Sequence, residues 1–175
     1  MFEKKSNKIK IIGSIVMVDV STEKYPDSTM LIELADWVML QELGIGRVWA
    51  EKYDSGLRAS CRLGDNMKRV HRLLLPESES VDHQDGSGLN NLRSNLRDCS
   101  VQENNRNRRR NAGNKSGFKG VDLHRGGKYR AQARLDGRKV HLGVRDTAEE
   151  ASELYVAFAK KHHGAFYRDT NCEVA

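Results

Sequence analysis

At 175 residues the chain has room for one or two small domains and excludes a large multidomain enzyme with a substrate-enclosing cavity. Thirty Lys and Arg against 24 Asp and Glu give a formal charge of +6, and 38% apolar with 6% aromatic residues describe a modest core under a highly charged surface. The excess is concentrated: over residues 104–144, eight Arg and four Lys oppose only Asp122 and Asp136, a net +10 that leaves −4 for the rest of the chain. That asymmetry points to an anionic partner for the C-terminal part.

Cys61, Cys99 and Cys172 are isolated, with no C-x-x-C pair, so the sequence supports neither a structural zinc site nor a disulfide framework. The uncharged stretch 11–18 stops at Asp19, and no later one approaches the roughly 20 apolar residues of a membrane helix. A soluble protein of a reducing, cytoplasmic compartment, with no membrane partner, is expected.

In chain order, alternation over residues 8–11, 47–50 and 68–74 predicts short strands. Leu31, Leu34, Ala35 and Val38 have helical spacing, while residues 36–40 read equally as a strand, a choice that period alone does not make. The first 75 residues are therefore read as α+β. Pro76 opens a turn-rich break before Val81-Asp82-His83, and a loop with Gly86 and Gly88 leads into the asparagine-rich segment 89–96. Ser100-x-x-Glu103 is a capping box that starts a helix from Val101 to about Arg110, followed by a short linker over 111–116.

Beyond Gly117 the periodicity is the cleanest in the chain. Lys128, Arg130, Gln132 and Arg134 alternate with Tyr129, Ala131, Ala133 and Leu135, which gives a strand one polar, mostly cationic face and one apolar face. Asp136-Gly137 is a hairpin signal, and Lys139 and His141 then alternate with Val140 and Leu142. Residues 118–124, turned by Arg125-Gly126-Gly127, supply a third strand. A second capping box, Thr147-x-x-Glu150, opens a helix whose Ala151, Leu154, Tyr155, Phe158 and Ala159 form one apolar face to cover the sheet. His162 and His163 at its end read as capping or solvated residues.

Asp82 and His83 are adjacent, Asn95 lies 12 residues after His83, and Asn104 lies nine after Asn95 on the first turn of the capped helix. This D-H, N, N order, within V-D-H-x-D-G, N-x-x-x-N-L-R and E-N-x-R-N, resembles the HNH endonuclease family, specifically the phage-type homing endonucleases with asparagine in the third position. The resemblance covers about residues 70–110. It implies a ββα-metal fold in which a β-hairpin presents the Asp-His pair and the following helix presents the last asparagine. It also implies that His83 is the general base, that Asn95 orients it, and that Asp82 and Asn104 hold one divalent ion, Mg2+ or Mn2+.

The chemistry suits those residue types. A histidine with an ordinary pKa of about 6.5 can deprotonate water near neutrality, and a hard cation with oxygen ligands neutralises charge on a phosphodiester. Asp85 reads instead as a turn residue, and His71, in an H-R-L element also found in the family, as a buried, hydrogen-bonded structural histidine. Asparagine rather than histidine at Asn104 leaves a single anionic ligand.

Gly117-Phe118-Lys119-Gly120-Val121, Lys128-Tyr129-Arg130-Ala131, His141-Leu142-Gly143 and the segment from Asp146 to Ala151 together resemble the plant APETALA-two/ERF-type DNA-binding domain, over about residues 116–168. That resemblance implies a three-stranded antiparallel sheet in the DNA major groove, contacting it through Lys119, His124, Gln132, Arg134, Lys139 and His141, with Lys128 and Arg130 on the same face. Asp122 stands where that family usually has arginine and His141 where it has tryptophan, so the plant target sequence does not transfer. Arg106, Arg108, Arg109 and Arg110 extend the basic footprint and are read as phosphate-gripping.

The expected organisation is an HNH nuclease domain over 1–110, a basic linker over 111–116 and an ERF-type domain over 117–170. The expected fold class is α+β: a small N-terminal α+β region with the ββα-metal motif, then a three-stranded antiparallel sheet packed on one α-helix. The expected function is metal-dependent hydrolysis of double-stranded DNA at a recognised site, by a monomer or homodimer with no further small-molecule cofactor, in the cytoplasm of a phage-infected bacterial host. A non-catalytic, sequence-specific DNA-binding regulator is the alternative. An RNA-binding role fits less well, because aromatic side chains that stack on unpaired bases are scarce on the polar sheet face.

Overall fold

The structure, a computed structural model, describes residues 6–53, 56–108 and 113–167. It is α+β, built from small antiparallel sheets and short helices. The chain forms two compact units, Met1–Ser100 and Val101–Ala175, so the division falls before the helix that was expected to close the first domain at Arg110.

In the first unit, β1 (Ile9–Ile12), β2 (Ile15–Asp19) and β3 (Thr29–Glu33) form an antiparallel meander. Alternation decides which face goes inside: Val16 and Val18 of β2 and Met30 and Ile32 of β3 are fully buried, while their neighbours are not. The ambiguous segment after Leu31 contains both elements, since β3 ends at Glu33 and α1 (Leu34–Glu42) begins at once. Its inward face is Asp36, Trp37 and Leu40, whereas Leu34 and Val38, on the helical stripe read from sequence, are exposed.

A second meander, β4 (Val48–Tyr53), β5 (Gly56–Leu63) and β6 (Asn66–Arg69), is tied to the first where Ala50 N donates to Val20 O at 2.8 Å. The strand expected over 68–74 stops at Arg69. There the wholly exposed edge strand β6 gives way to α2 (Val70–Leu74), which turns Val70, His71 and Leu74 inward. The hairpin β7 (Ser80–His83) and β8 (Leu96–Cys99) completes the unit, with Val81 and Leu96 joining the same core as Val16, Leu40 and Val48.

The second unit begins with α3 (Val101–Asn107), which follows Ser100 as the capping box predicts but ends before Arg110. β9 (Val121–Leu123), β10 (Tyr129–Leu135) and β11 (Arg138–Arg145) form the expected sheet with β10 central. α4 (Ala148–His163) covers it, started by the expected capping box: Glu150 N donates to Thr147 Oγ1 at 3.2 Å and Thr147 N to a Glu150 carboxylate oxygen at 3.3 Å. Ala131, Ala151 and Ala159 are fully buried, so small side chains let helix and sheet approach closely. Gly120 shows how closely: its φ is +75°, and a Cβ there would run into the Tyr155 ring.

Residues 113–116, expected as linker, belong to this packing. Asn114 Nδ2 donates to the carbonyls of Phe118 and Val121 at 2.9 and 3.0 Å, and Ser116 Oγ donates to Val121 O at 2.8 Å. No helix among the described residues is long and apolar enough to cross a membrane.

Candidate functional site

β7 places Asp82 and His83 side by side, and the register sets Asp82 opposite Arg97 and His83 opposite Leu96. The Arg97 guanidinium answers Asp82 directly, with Nε at 2.7 Å and Nη2 at 2.5 Å from Oδ2. Asp82 is 4% exposed, and burying a carboxylate at that depth calls for such a counter-charge. Arg97 was not singled out in the sequence; its role becomes visible only once the strand register is known.

His83 is 2% exposed. Its ring meets the edge of His71 with centroids 5.0 Å apart and planes at 90°, and its Nε2 lies 3.4 Å from Asn91 Oδ1. An amide oxygen can only accept, so this contact calls for the Nε2–H tautomer and makes Nδ1 the basic nitrogen. Burial, reinforced by the Arg58 cation, pushes the His83 pKa down to about 4, against the opposing effects of Asn91, Asp85 and Asp82. His71 is pushed down further, to about 2, by burial first and then by His83, Arg58, Arg69 and Arg72. Both imidazoles are therefore neutral at pH 7. His71 is buried as expected, and its Nδ1 has no hydrogen-bond partner among the described residues.

Asn95, expected to orient His83, does something else. Its Nδ2 donates to Asp85 Oδ1 at 3.0 Å and to Asn90 O at 2.8 Å, and its Oδ1 accepts from Asp85 N at 3.0 Å. It fastens the loop between β7 and β8, while Asn91, four residues earlier and fully buried, touches the ring. Nothing in a tract with asparagine at 90, 91 and 95 distinguishes these roles before the loop is folded. Asp85 is the turn residue it was read as: its carboxylate also accepts from Ser87 N and Asn90 Nδ2 at 2.7 and 2.8 Å. Burial works against its ionised form, but these hydrogen bonds outweigh burial and lower its pKa.

The same loop is anchored to the rest of the unit. Leu31 N donates to Leu89 O at 2.9 Å and Asn91 N to Leu31 O at 2.8 Å. Arg93 forks onto Asp36 with bonds of 2.6 and 2.8 Å, and its Nη1 reaches Leu74 O at 2.9 Å, joining α1, α2 and the loop.

Asn104 lies half-buried on α3, in the second unit. A carboxylate and an amide carbonyl are each oxygen ligands of the kind a hard divalent ion takes, but Asp82 and Asn104 belong to different units and Arg97 already engages Asp82 Oδ2. Among the described residues no three His, Cys, Asp or Glu side chains gather into a metal-holding group.

On the second unit, the polar sheet face is real but already partly self-paired. Arg130 lies opposite Asp122 and forms an ion pair with it, Nη2 to Oδ2 at 2.5 Å, and Gln132 Nε2 donates to Asp122 Oδ1 at 3.2 Å. Lys128 pairs with Asp146 at 2.9 Å. Lys119 turns to α3, its Nζ donating to Arg106 O at 2.6 Å. His124 and Arg106 are half-buried, the latter with its Nε shielded from solvent. Arg134, Lys139 and His141 are exposed, Arg134 facing Lys139 and Gln132 facing His141 across the strands. A bulge opposite Ala131 and Gln132 preserves this pairing. Arg108 is exposed, and Arg109 and Arg110 lie outside the described residues.

Comparison of the chain with protein-family models, curated proteins and solved structures finds no match. At the end of α4, His163 is buried against Tyr155 and Phe158, so it is neither a cap nor solvated as expected, and burial lowers its pKa. His162 stacks on Phe158 with ring centroids 4.4 Å apart.

Proposed function

We propose that the chain is a metal-dependent DNA endonuclease whose first unit supplies the hydrolytic base and whose second unit binds duplex DNA. The observation that carries the reading is His83 at the end of a β-hairpin strand, next to Asp82, neutral at physiological pH and held by Asn91 in the tautomer that leaves Nδ1 basic. In that role Nδ1, shielded from solvent in the folded chain, takes the proton of a water that reaches it with the DNA, while the water oxygen bonds to the phosphodiester phosphorus and the bond from phosphorus to the leaving oxygen breaks. Asn95 contributes by fixing the loop that carries Asn91. A Mg2+ or Mn2+ ion with the Asp82 carboxylate among its oxygen ligands would supply charge neutralisation at the phosphate and the leaving oxygen. The exposed cations Arg134 and Lys139 draw the DNA backbone to the sheet. One His/Asp/Asn set per chain fits a single cut per visit, hence a nick, or a double-strand break made by two copies.

Supercoiled DNA incubated with the protein and Mg2+ or Mn2+ tests this. Nicking that requires the metal and falls by about 10²–10⁴-fold in His83→Ala is expected. Cutting that survives in that variant, or a protein that never cuts its selected target, overturns it.

A second reading has its own support. The near-complete burial of Asp82 and His83, with Arg97 on the carboxylate, is also how a polar hairpin is stabilised without catalysis. A DNA-binding regulator of this kind binds duplex DNA equally well with chelator present and cuts nothing.

A further inference from the structure

Asp122 sits on the edge strand β9 of the cationic sheet face, where a carboxylate repels phosphate and weakens any general attraction to DNA. Its contacts show what it does there. Oδ2 accepts from Arg130 Nη2 at 2.5 Å, with Nε of the same guanidinium 3.4 Å from Oδ1, and Oδ1 accepts from Gln132 Nε2 at 3.2 Å. Arg130 is directly opposite on the neighbouring strand and Gln132 is two residues further along it, so all three side chains rise from one face. The ion pair stays accessible, with side-chain exposures of 35% for Arg130 and 38% for Asp122.

This arrangement occupies one edge of the guanidinium and leaves one Nη1 hydrogen and the second Nη2 hydrogen as a parallel donor pair. Such a pair matches the O6 and N7 acceptors of guanine in the major groove. It also turns the Gln132 amide nitrogen to the carboxylate and leaves Oε1 as an acceptor for a base amino group, which adenine and cytosine carry in the major groove.

We infer that Asp122 is a specificity-determining residue: it buttresses Arg130 and Gln132 into fixed base-reading geometries, giving up general affinity for DNA to gain discrimination. The inference rests on the reading of the sheet as a duplex-DNA surface. An unbuttressed arginine swings freely to phosphates and reads no sequence; a buttressed one presents its fork in one orientation.

The test is selection from a duplex library with a randomised core, using the full chain and Asp122→Asn, an isosteric change without the charge. Affinity for a single random-sequence duplex is then measured across a salt series. The wild type is expected to enrich a guanine at one position. Asp122→Asn is expected to lose about tenfold of that preference, to bind the random duplex more tightly, and to show a salt slope steeper by about one unit. Unchanged guanine enrichment in Asp122→Asn overturns the inference alone. A wild-type chain that enriches no sequence overturns the reading of the sheet and this inference with it. Asp122→Ala, which removes both acceptor oxygens, must behave like Asp122→Asn; a variant that enriches the wild-type guanine is evidence against the buttress.

Discussion

The two units handle polar side chains in opposite ways. In the first, Asp82, His83, Asn91 and Asn95 are buried and answered by Arg97, His71, Asp85 and backbone carbonyls. In the second, Arg134, Lys139 and His141 stand in solvent on a sheet whose other face packs under α4. Burial makes each polar group in the first unit depend on a named partner, because an unsatisfied buried group costs about 1–3 kcal/mol. Exposure leaves the cations of the second unit free to be spent on a ligand. The first unit thus reads as a preorganised centre and the second as a contact surface.

The largest expected effect that sharpens this contrast is pH dependence. Folded His83 and His71 titrate at about 4 and about 2, below the unfolded value of 6.5, so the unfolded chain binds more protons. The stability of the first unit is therefore complete above about pH 7 and falls as the pH drops through about 6.5, with His83 alone accounting for about 3 kcal/mol by about pH 4. Both tryptophans, Trp37 and Trp49, lie in the first unit, so their fluorescence during urea unfolding reports on it alone. His83→Gln should flatten much of the slope. A midpoint that does not move between about pH 8 and about pH 5 contradicts the buried, neutral imidazoles.

A smaller effect belongs to the second unit. Gly120→Ala places a Cβ at positive φ against the Tyr155 ring and should destabilise that unit by about 2 kcal/mol, read as a lower midpoint in far-UV circular dichroism. The tryptophan transition should stay where it is. If both transitions shift together, the units unfold as one and the contrast between them fails.

How legible each unit was follows from the same physics. The sheet of the second unit could be read from Lys128 to Leu142 because solvent on one side and α4 on the other impose strict alternation, and the Asp136-Gly137 turn fixes the register. Asp136, at φ +49°, adopts the left-handed conformation that such a turn demands. The first unit was only partly legible. A strand passing directly into a helix at Glu33/Leu34, and again at Arg69/Val70, changes period within a few residues and defeats any window long enough to measure one. Asp82 and His83 stood out by their adjacency, but their partners Arg97, Asn91 and His71 are assembled by register and loop closure. For that reason the contact with the His83 ring was expected of Asn95 and is made by Asn91. Asp122 was visible as a departure from the plant pattern, yet its hold on Arg130 and Gln132 appears only when β9 lies beside β10.

Lys119 gives the smallest effect and separates surface from scaffold within the second unit. Read as a DNA contact, it should lower affinity for every sequence when removed and reduce the salt slope by about one unit. Its Nζ instead donates to Arg106 O in the last turn of α3, where a cation satisfies an orphan carbonyl and complements the helix dipole for about 0.3–1 kcal/mol. Lys119→Met keeps the aliphatic stem and removes the ammonium. The expected result is a small loss of second-unit stability with the salt slope of DNA binding unchanged. A slope that drops while stability holds would return Lys119 to the DNA surface, and would mean that the contact with α3 is given up when a phosphate arrives.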